Sequence, residues 1–134
     1  NGTTGFAGAN LVYGCYDLAF TPSVARWGER NLILSTPIVE WFADHFVPRA
    51  RRGEPDVSPI HADLRNLPPA LFSVGTMDPL LDDSLFMHGR WLAAGNAAEL
   101  AIFPGGIHAF NAFPTALGRA SNELQIAFCN RLLG

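Results

Sequence analysis

The chain has no lysine, two cysteines and few charges of any kind in its 134 residues. Nine arginines against twelve acids give a net charge of −3, which leaves no basic surface for nucleic acid. The only cationic cluster, Arg49-Ala50-Arg51-Arg52, lies between Pro48 and Gly53 and reads as a solvated loop. Cys15 and Cys129 are far apart and form no Cys-x-x-Cys, so the expectation is two buried thiols in a reducing compartment, hence a cytoplasmic protein. His61-Ala62-Asp63 offers candidate zinc ligands, but no cysteine or second histidine stands at ligand spacing, so no metal or cofactor is expected. No apolar run approaches the roughly 20 residues of a membrane span, and the start of the chain lacks the basic-then-apolar order of a signal peptide. The scarcity of charge, 16% against 49% hydrophobic residues, is unusual for a unit of single-domain size and fits a piece of a larger core.

What the sequence does contain is concentrated between positions 70 and 110. Ala70-Leu71-Phe72-Ser73-Val74-Gly75 is a near-continuous apolar run of strand length, which reads as a strand buried on both faces. Thr76-Met77-Asp78-Pro79 breaks it, since a residue before proline is pushed out of helical geometry. A helix is expected over 83–94, with acids at its start and Gly95-Asn96 at its end, and a second strand over 98–103. Two short strands joined by a helical crossover imply a parallel, right-handed βαβ unit. Asp78 and His108 then leave the carboxyl ends of neighbouring strands on one edge of the sheet, where open α/β sheets place their chemistry. An aspartate that accepts the Nδ1 proton of a histidine fixes its tautomer and leaves Nε2 as a base. Taken alone, the pair reads more simply as two loop residues that share an edge.

The wording around the pair decides between these readings. Leu67-Pro68-Pro69-Ala70-Leu71-Phe72, Gly75-Thr76-Met77-Asp78-Pro79-Leu80-Leu81-Asp82-Asp83 and Phe103-Pro104-Gly105-Gly106-Ile107-His108-Ala109-Phe110 resemble the carboxyl-terminal part of hormone-sensitive-lipase-type esterases of the α/β-hydrolase fold. The resemblance implies a partial α/β-hydrolase, a short parallel sheet with flanking helices, in which Asp78 is the catalytic acid and His108 the catalytic base. It also implies a small-molecule ester substrate, with short-chain acyl groups as the family expectation. Ala109 stands where the family has glycine, which matters only if that residue needs a positive φ. Asp82 and Asp83 compete for the acid role but read more simply as helix-start acids.

The family nucleophile is a serine in Gly-x-Ser-x-Gly, and none of Ser23, Ser35, Ser58, Ser73, Ser84 or Ser121 has that context. No His-Gly-Gly-Gly stretch supplies the rest of an oxyanion hole. Ser84, near Asp78, reads as a local backbone hydrogen-bonder in the first turn of a helix. With a polar start at Asn1 and no initiating methionine, the expectation is that residues 1–134 are the carboxyl-terminal fragment of one hydrolase domain, inactive alone, with the nucleophile upstream. The alternatives are a non-catalytic small-molecule binding protein on the same fold and a truncated, inactive product.

Elsewhere, Ala9-Asn10-Leu11-Val12-Tyr13 reads as the strand before the central unit; the resemblance implies that it pairs with the Ala70 strand, so that three contiguous strands leave one open edge. The resemblance implies a lid- or pocket-building excursion at about 16–57, in which Phe20 and Trp27 either line an acyl pocket or, more simply, pack the excursion onto the sheet. Residues 16–34 resist assignment beyond a turn at 27–31 and a brief buried element at Leu32-Ile33-Leu34. A helix is expected from Thr36, as cap, and Pro37 to about Phe46, burying a stripe of Val39, Phe42 and Phe46, with His45 packing or at the surface. His88 reads as a helix-boundary residue. A last helix, from Pro114-Thr115 to about Leu133, carries a stripe of Leu117, Ala120, Leu124, Ala127 and Phe128 that should cover the sheet.

Overall fold

The structure, a computed structural model, describes residues 5–134. Its centre is a three-stranded parallel sheet in the order β1 (Ala9–Val12), β2 (Ala70–Met77), β3 (Ala98–Ile107). β2 is the middle strand, and its first six residues are all buried, which is why they read as an unbroken apolar run. Both β2 and β3 run further than expected, because they keep pairing past a register shift between Gly75 and Met77, through to Met77 opposite Ile107. The Pro104-Gly105-Gly106 stretch, beyond the expected end of the strand at 103, is part of β3. Gly105 takes the left-handed φ of +78°, and its N–H donates to Thr76 Oγ1 at 2.9 Å.

Helix α3 (Leu81–Ala93) crosses from β2 to β3 and packs Met87 and Trp91 against Phe72. Trp91 meets Phe72 edge-on at 5.7 Å, while its indole N–H donates to Pro68 O. Helix α4 (Ala116–Leu133) opens on a true cap, the Thr115 side chain accepting from Gly118 N, and contacts all three strands. Its buried line is Gly118, Ser121 and Phe128; Ala120 and Ala127 of the expected stripe face outward.

The excursion between β1 and β2 holds the corrections. Pro22–Trp27 forms helix α1, with proline in its first turn, in the stretch that sequence left unassigned. Leu32 and Leu34 make only an isolated bridge, with Ile33 between them exposed and left-handed, so this is no buried element. Helix α2 (Thr36–Phe46) has Ser35 at its N-cap position rather than Thr36. The Thr36 hydroxyl instead donates to Val24 O and accepts from Gly28 N, tying α2 to α1. Val39 and Ala43 are buried, but Phe42 and Phe46 are 58% and 72% exposed. Arg52 is not part of a solvated loop: it is buried, pairs with Asp44 at 2.5 Å and lies over the Phe20 ring, while Arg49 and Arg51 stay outside in exposed ion pairs. Cys15 and Cys129 are free and exposed, not buried. Among the described residues no helix is long and apolar enough to cross a membrane.

Candidate active site

Asp78 follows the last residue of β2, and His108 follows the last residue of β3. Parallel pairing sends both off the same edge, and the side chains meet: His108 Nδ1 lies 2.9 Å from Asp78 Oδ2. Asp78 is almost wholly buried, and its other carboxylate oxygen accepts the Leu80 N–H at 2.9 Å, a local turn that Pro79 favours. A carboxylate only accepts, so Nδ1 donates, and in the neutral ring the lone pair is on Nε2. Among the described residues Nε2 has no hydrogen-bond partner. The His108 side chain is 18% exposed.

Close approach of the two strands makes this pairing possible. A Cβ on Gly75 would lie 2.0 Å from the Gly106 carbonyl oxygen, so only glycine fits there. On the far side of the histidine, Ala109 adopts φ +59°, the left-handed conformation that makes its departure from glycine matter. The Tyr13 ring stands against the imidazole at 4.6 Å between centroids. Its phenol is pushed above the usual range, first by burial and then by the Asp78 carboxylate.

Tyr13 and His108 border a cleft of about 740 Å³ whose walls include Leu18, Leu34, Phe42 and Phe46. The excursion supplies those walls, but not through the expected aromatics. Phe20 packs against the buried cluster of Val24, Val39 and Leu80, and the Trp27 indole N–H donates to Arg30 O. Both are held by local structure that the sequence did not announce, and neither lines the cleft.

Asp82 and Asp83 do not compete with Asp78. Asp82 accepts the Ser23 N–H, and Asp83 is fully buried, accepting from Tyr16 N, Asp17 N and Thr21 Oγ1 at 2.6–3.0 Å. Burial raises the Asp83 carboxyl above its ordinary range, outweighing those three donors. Asp83 therefore fastens the start of the excursion to α3, a function that sequence missed because an acid in the first turn of a helix already has an explanation. Cys15 also lines the cleft; desolvation by its neighbours, then the Asp83 carboxylate, pushes its thiol up to about 12.

None of the serines is hydrogen-bonded to His108 among the described residues. Ser23 Oγ donates to Pro79 O and Ser58 Oγ to Arg52 O. Ser84 is buried with no partner for its hydroxyl, so it is not the backbone hydrogen-bonder expected of it. His45 is exposed and stacks on Trp41, and His88 meets Phe72 edge-on at 5.8 Å. His61 lies 3.7 Å from Asp17, whereas Asp63 turns to Arg65, whose guanidinium holds it at about 2. Among the described residues no three His, Cys, Asp or Glu side chains gather as a metal site would require.

A family model described as alpha/beta hydrolase fold matches residues 1–112. The chain is 29% identical over 107 residues to an acetyl-hydrolase of Streptomyces hygroscopicus, covering 78% of this chain and 36% of that protein. It is 33% identical over 106 residues to an ethyl acetate hydrolase of Pseudomonas putida, covering 77% and 33%. Among solved structures it superposes on EstE1, a thermophilic carboxylesterase cloned from a metagenomic library, with a TM-score of 0.89 and 26% identity, over 96% of this chain and 46% of that one. For the Pyrobaculum calidifontis esterase the TM-score is 0.85 at 27% identity, over 96% and 44%. The chain thus spans about a third of these curated relatives and under half of these solved chains.

Proposed function

The chain belongs to the α/β-hydrolase fold family, in its hormone-sensitive-lipase-type branch, and from that premise we propose that it supplies the acid and base of a carboxylic ester hydrolase. The observation that carries the reading is the 2.9 Å contact between His108 Nδ1 and the buried Asp78 carboxylate at the ends of adjacent parallel strands. The nucleophile is a serine outside these 134 residues. Its hydroxyl attacks the ester carbonyl as His108 Nε2 takes the proton; His108 returns that proton to the departing alcohol, leaving an acyl-serine. Water, deprotonated by the same nitrogen, then releases the acid and regenerates the serine. Asp78 holds the tautomer and stabilises the imidazolium in both halves of the cycle. Substrates are small esters with short acyl groups, in keeping with the relatives named for acetyl and ethyl acetate hydrolysis. The excursion at 16–57 serves as the pocket wall, with Leu18, Phe42 and Phe46 facing the non-reacting part of the substrate.

In the intact enzyme Asp78→Asn should lower turnover by roughly 10⁴-fold, as tautomer control is lost. Near-normal kinetics would remove Asp78 from the mechanism. The 134 residues alone should resist a fluorophosphonate probe, and stoichiometric labelling of any serine within them would overturn the assignment of the nucleophile to another segment.

A further inference from the structure

Five non-glycine residues among those described have positive φ, and two of them touch or adjoin His108: Tyr13 at +38° and Ala109 at +59°. A bulky aromatic residue in that conformation is strained, and such strain persists only where surrounding contacts hold it. The contacts at Tyr13 are specific. Its N–H donates to Ser73 O at 2.7 Å, which fixes the end of β1 to β2. Its hydroxyl donates to Asn111 Oδ1 at 2.9 Å, three residues beyond the histidine. Asn111 is held in turn by α4, its Nδ2 donating to Asn122 Oδ1 at 3.2 Å while Asn122 Nδ2 donates to Asn111 O at 3.0 Å. One side chain therefore links the end of β1, the turn after His108 and α4, and lays its ring against the imidazole on the way. Asp78 fixes Nδ1, but a single hydrogen bond leaves the ring able to rock about it, and the Tyr13 ring is the neighbour placed to oppose that movement.

We propose that Tyr13 and Asn111, with Asn122 behind them, are positioning residues that clamp the His108 imidazole and its turn so that Nε2 stays aligned for proton transfer. The proposal rests on the hydrolase reading for its catalytic consequence, but its structural part concerns only the orientation of His108. Tyr13 borders the cleft, whereas Asn111 does not, so the pair separates clamping from substrate contact.

The test is a double-mutant cycle in the intact enzyme, using Tyr13→Phe, which keeps the ring, and Asn111→Ala, which removes the tether from the other end. Each should lower kcat by about tenfold, the rate equivalent of one neutral hydrogen bond, with KM unchanged. The double variant should be no slower than Asn111→Ala, because that variant has already lost the Tyr13 bond along with the one from its own amide to Asn122. Imidazole ¹⁵N spectra of His108 should show line broadening or a mixed tautomer in the variants and a single Nδ1-protonated form in the parent. Additive losses, effects on KM alone, or unaltered His108 resonances with unaltered kcat would overturn the clamp. If His108→Ala leaves ester turnover intact, the hydrolase reading falls by itself, and the ¹⁵N spectra still decide whether Tyr13 and Asn111 fix the ring.

Discussion

Replacing Gly75 by alanine should damage stability and chemistry together, for a reason that can be worked from the backbone. Gly75 lies on β2 three residues before Asp78, and Gly106 lies on β3 two residues before His108. The added Cβ would sit 2.0 Å from Gly106 O and 2.4 Å from its carbonyl carbon, where real Cβ atoms essentially never come closer than 3.0 Å. Since the obstacle is backbone and not a flexible side chain, the strands must part by about 1 Å or more, in the range of overpacking that costs about 2–3 kcal/mol. With a urea dependence of about 1–3 kcal/mol per molar for small proteins, the unfolding midpoint should fall by roughly 1 M. Buried Trp91 provides the fluorescence signal. The same separation enters the 2.9 Å Asp78–His108 contact, and a misplacement of about 1 Å near the reacting groups lowers turnover by about 10²-fold. An unchanged midpoint together with an unchanged rate in the intact enzyme would refute the idea that the two glycines set the spacing of acid and base.

Three further expectations follow from single side chains. Ala109→Gly should raise stability by roughly 0.5–1 kcal/mol, because it relieves a left-handed alanine at the modest expense of a looser unfolded chain; a lower thermal midpoint would show that the site carries no strain. Asp83→Ala should destabilise by about 2–3 kcal/mol by stranding the Tyr16 N–H and the Thr21 hydroxyl, whereas Asp83→Asn should be far milder. The folded Asp83 carboxyl is raised above its ordinary value, so its contribution to stability is greatest below that value and declines as pH rises through the folded one. Thermal midpoints of the parent relative to Asp83→Asn should therefore improve as pH falls from 7 toward 3.8, and the opposite slope would contradict the burial argument. Cys15, with its thiol pushed up to about 12, should alkylate at pH 8 more than about 10²-fold more slowly than free cysteine despite being exposed, which mass spectrometry of iodoacetamide-treated protein can measure.

The central unit was legible because its signals are local and agree with one another. Residues 70–75 form an unbroken run with nothing charged to face water, Pro79 follows its end, and Gly95 ends the helix; β2, β3 and their parallel sense follow from those signals, whereas the pairing of β1 with β2 rests on the family resemblance. The meeting of Asp78 with His108 follows from the same topology and is present at hydrogen-bond distance. The excursion was not legible, because its order comes from distant partners. Helix α1 is only six residues long, its one fully buried side chain is Val24, and its anchor Ser23 finds Pro79 and Asp82 some 56 and 59 positions away. Phe42 and Phe46 misled for another reason: helical spacing shows that they share a face but not whether that face meets protein or an open cleft. The two cysteines misled because a small apolar side chain is as acceptable at a cleft wall or on an outer helix face as inside.

The crossover from β2 through α3 to β3 has an evolutionary consequence. Carboxylate and imidazole both belong to a single supersecondary segment of the chain, Asp78 at one end and His108 at the other, so the hydrogen-bonded pair travels as one continuous cassette. Recombination at either flank can exchange the neighbouring segments, the cleft walls of the excursion among them, without separating the two groups.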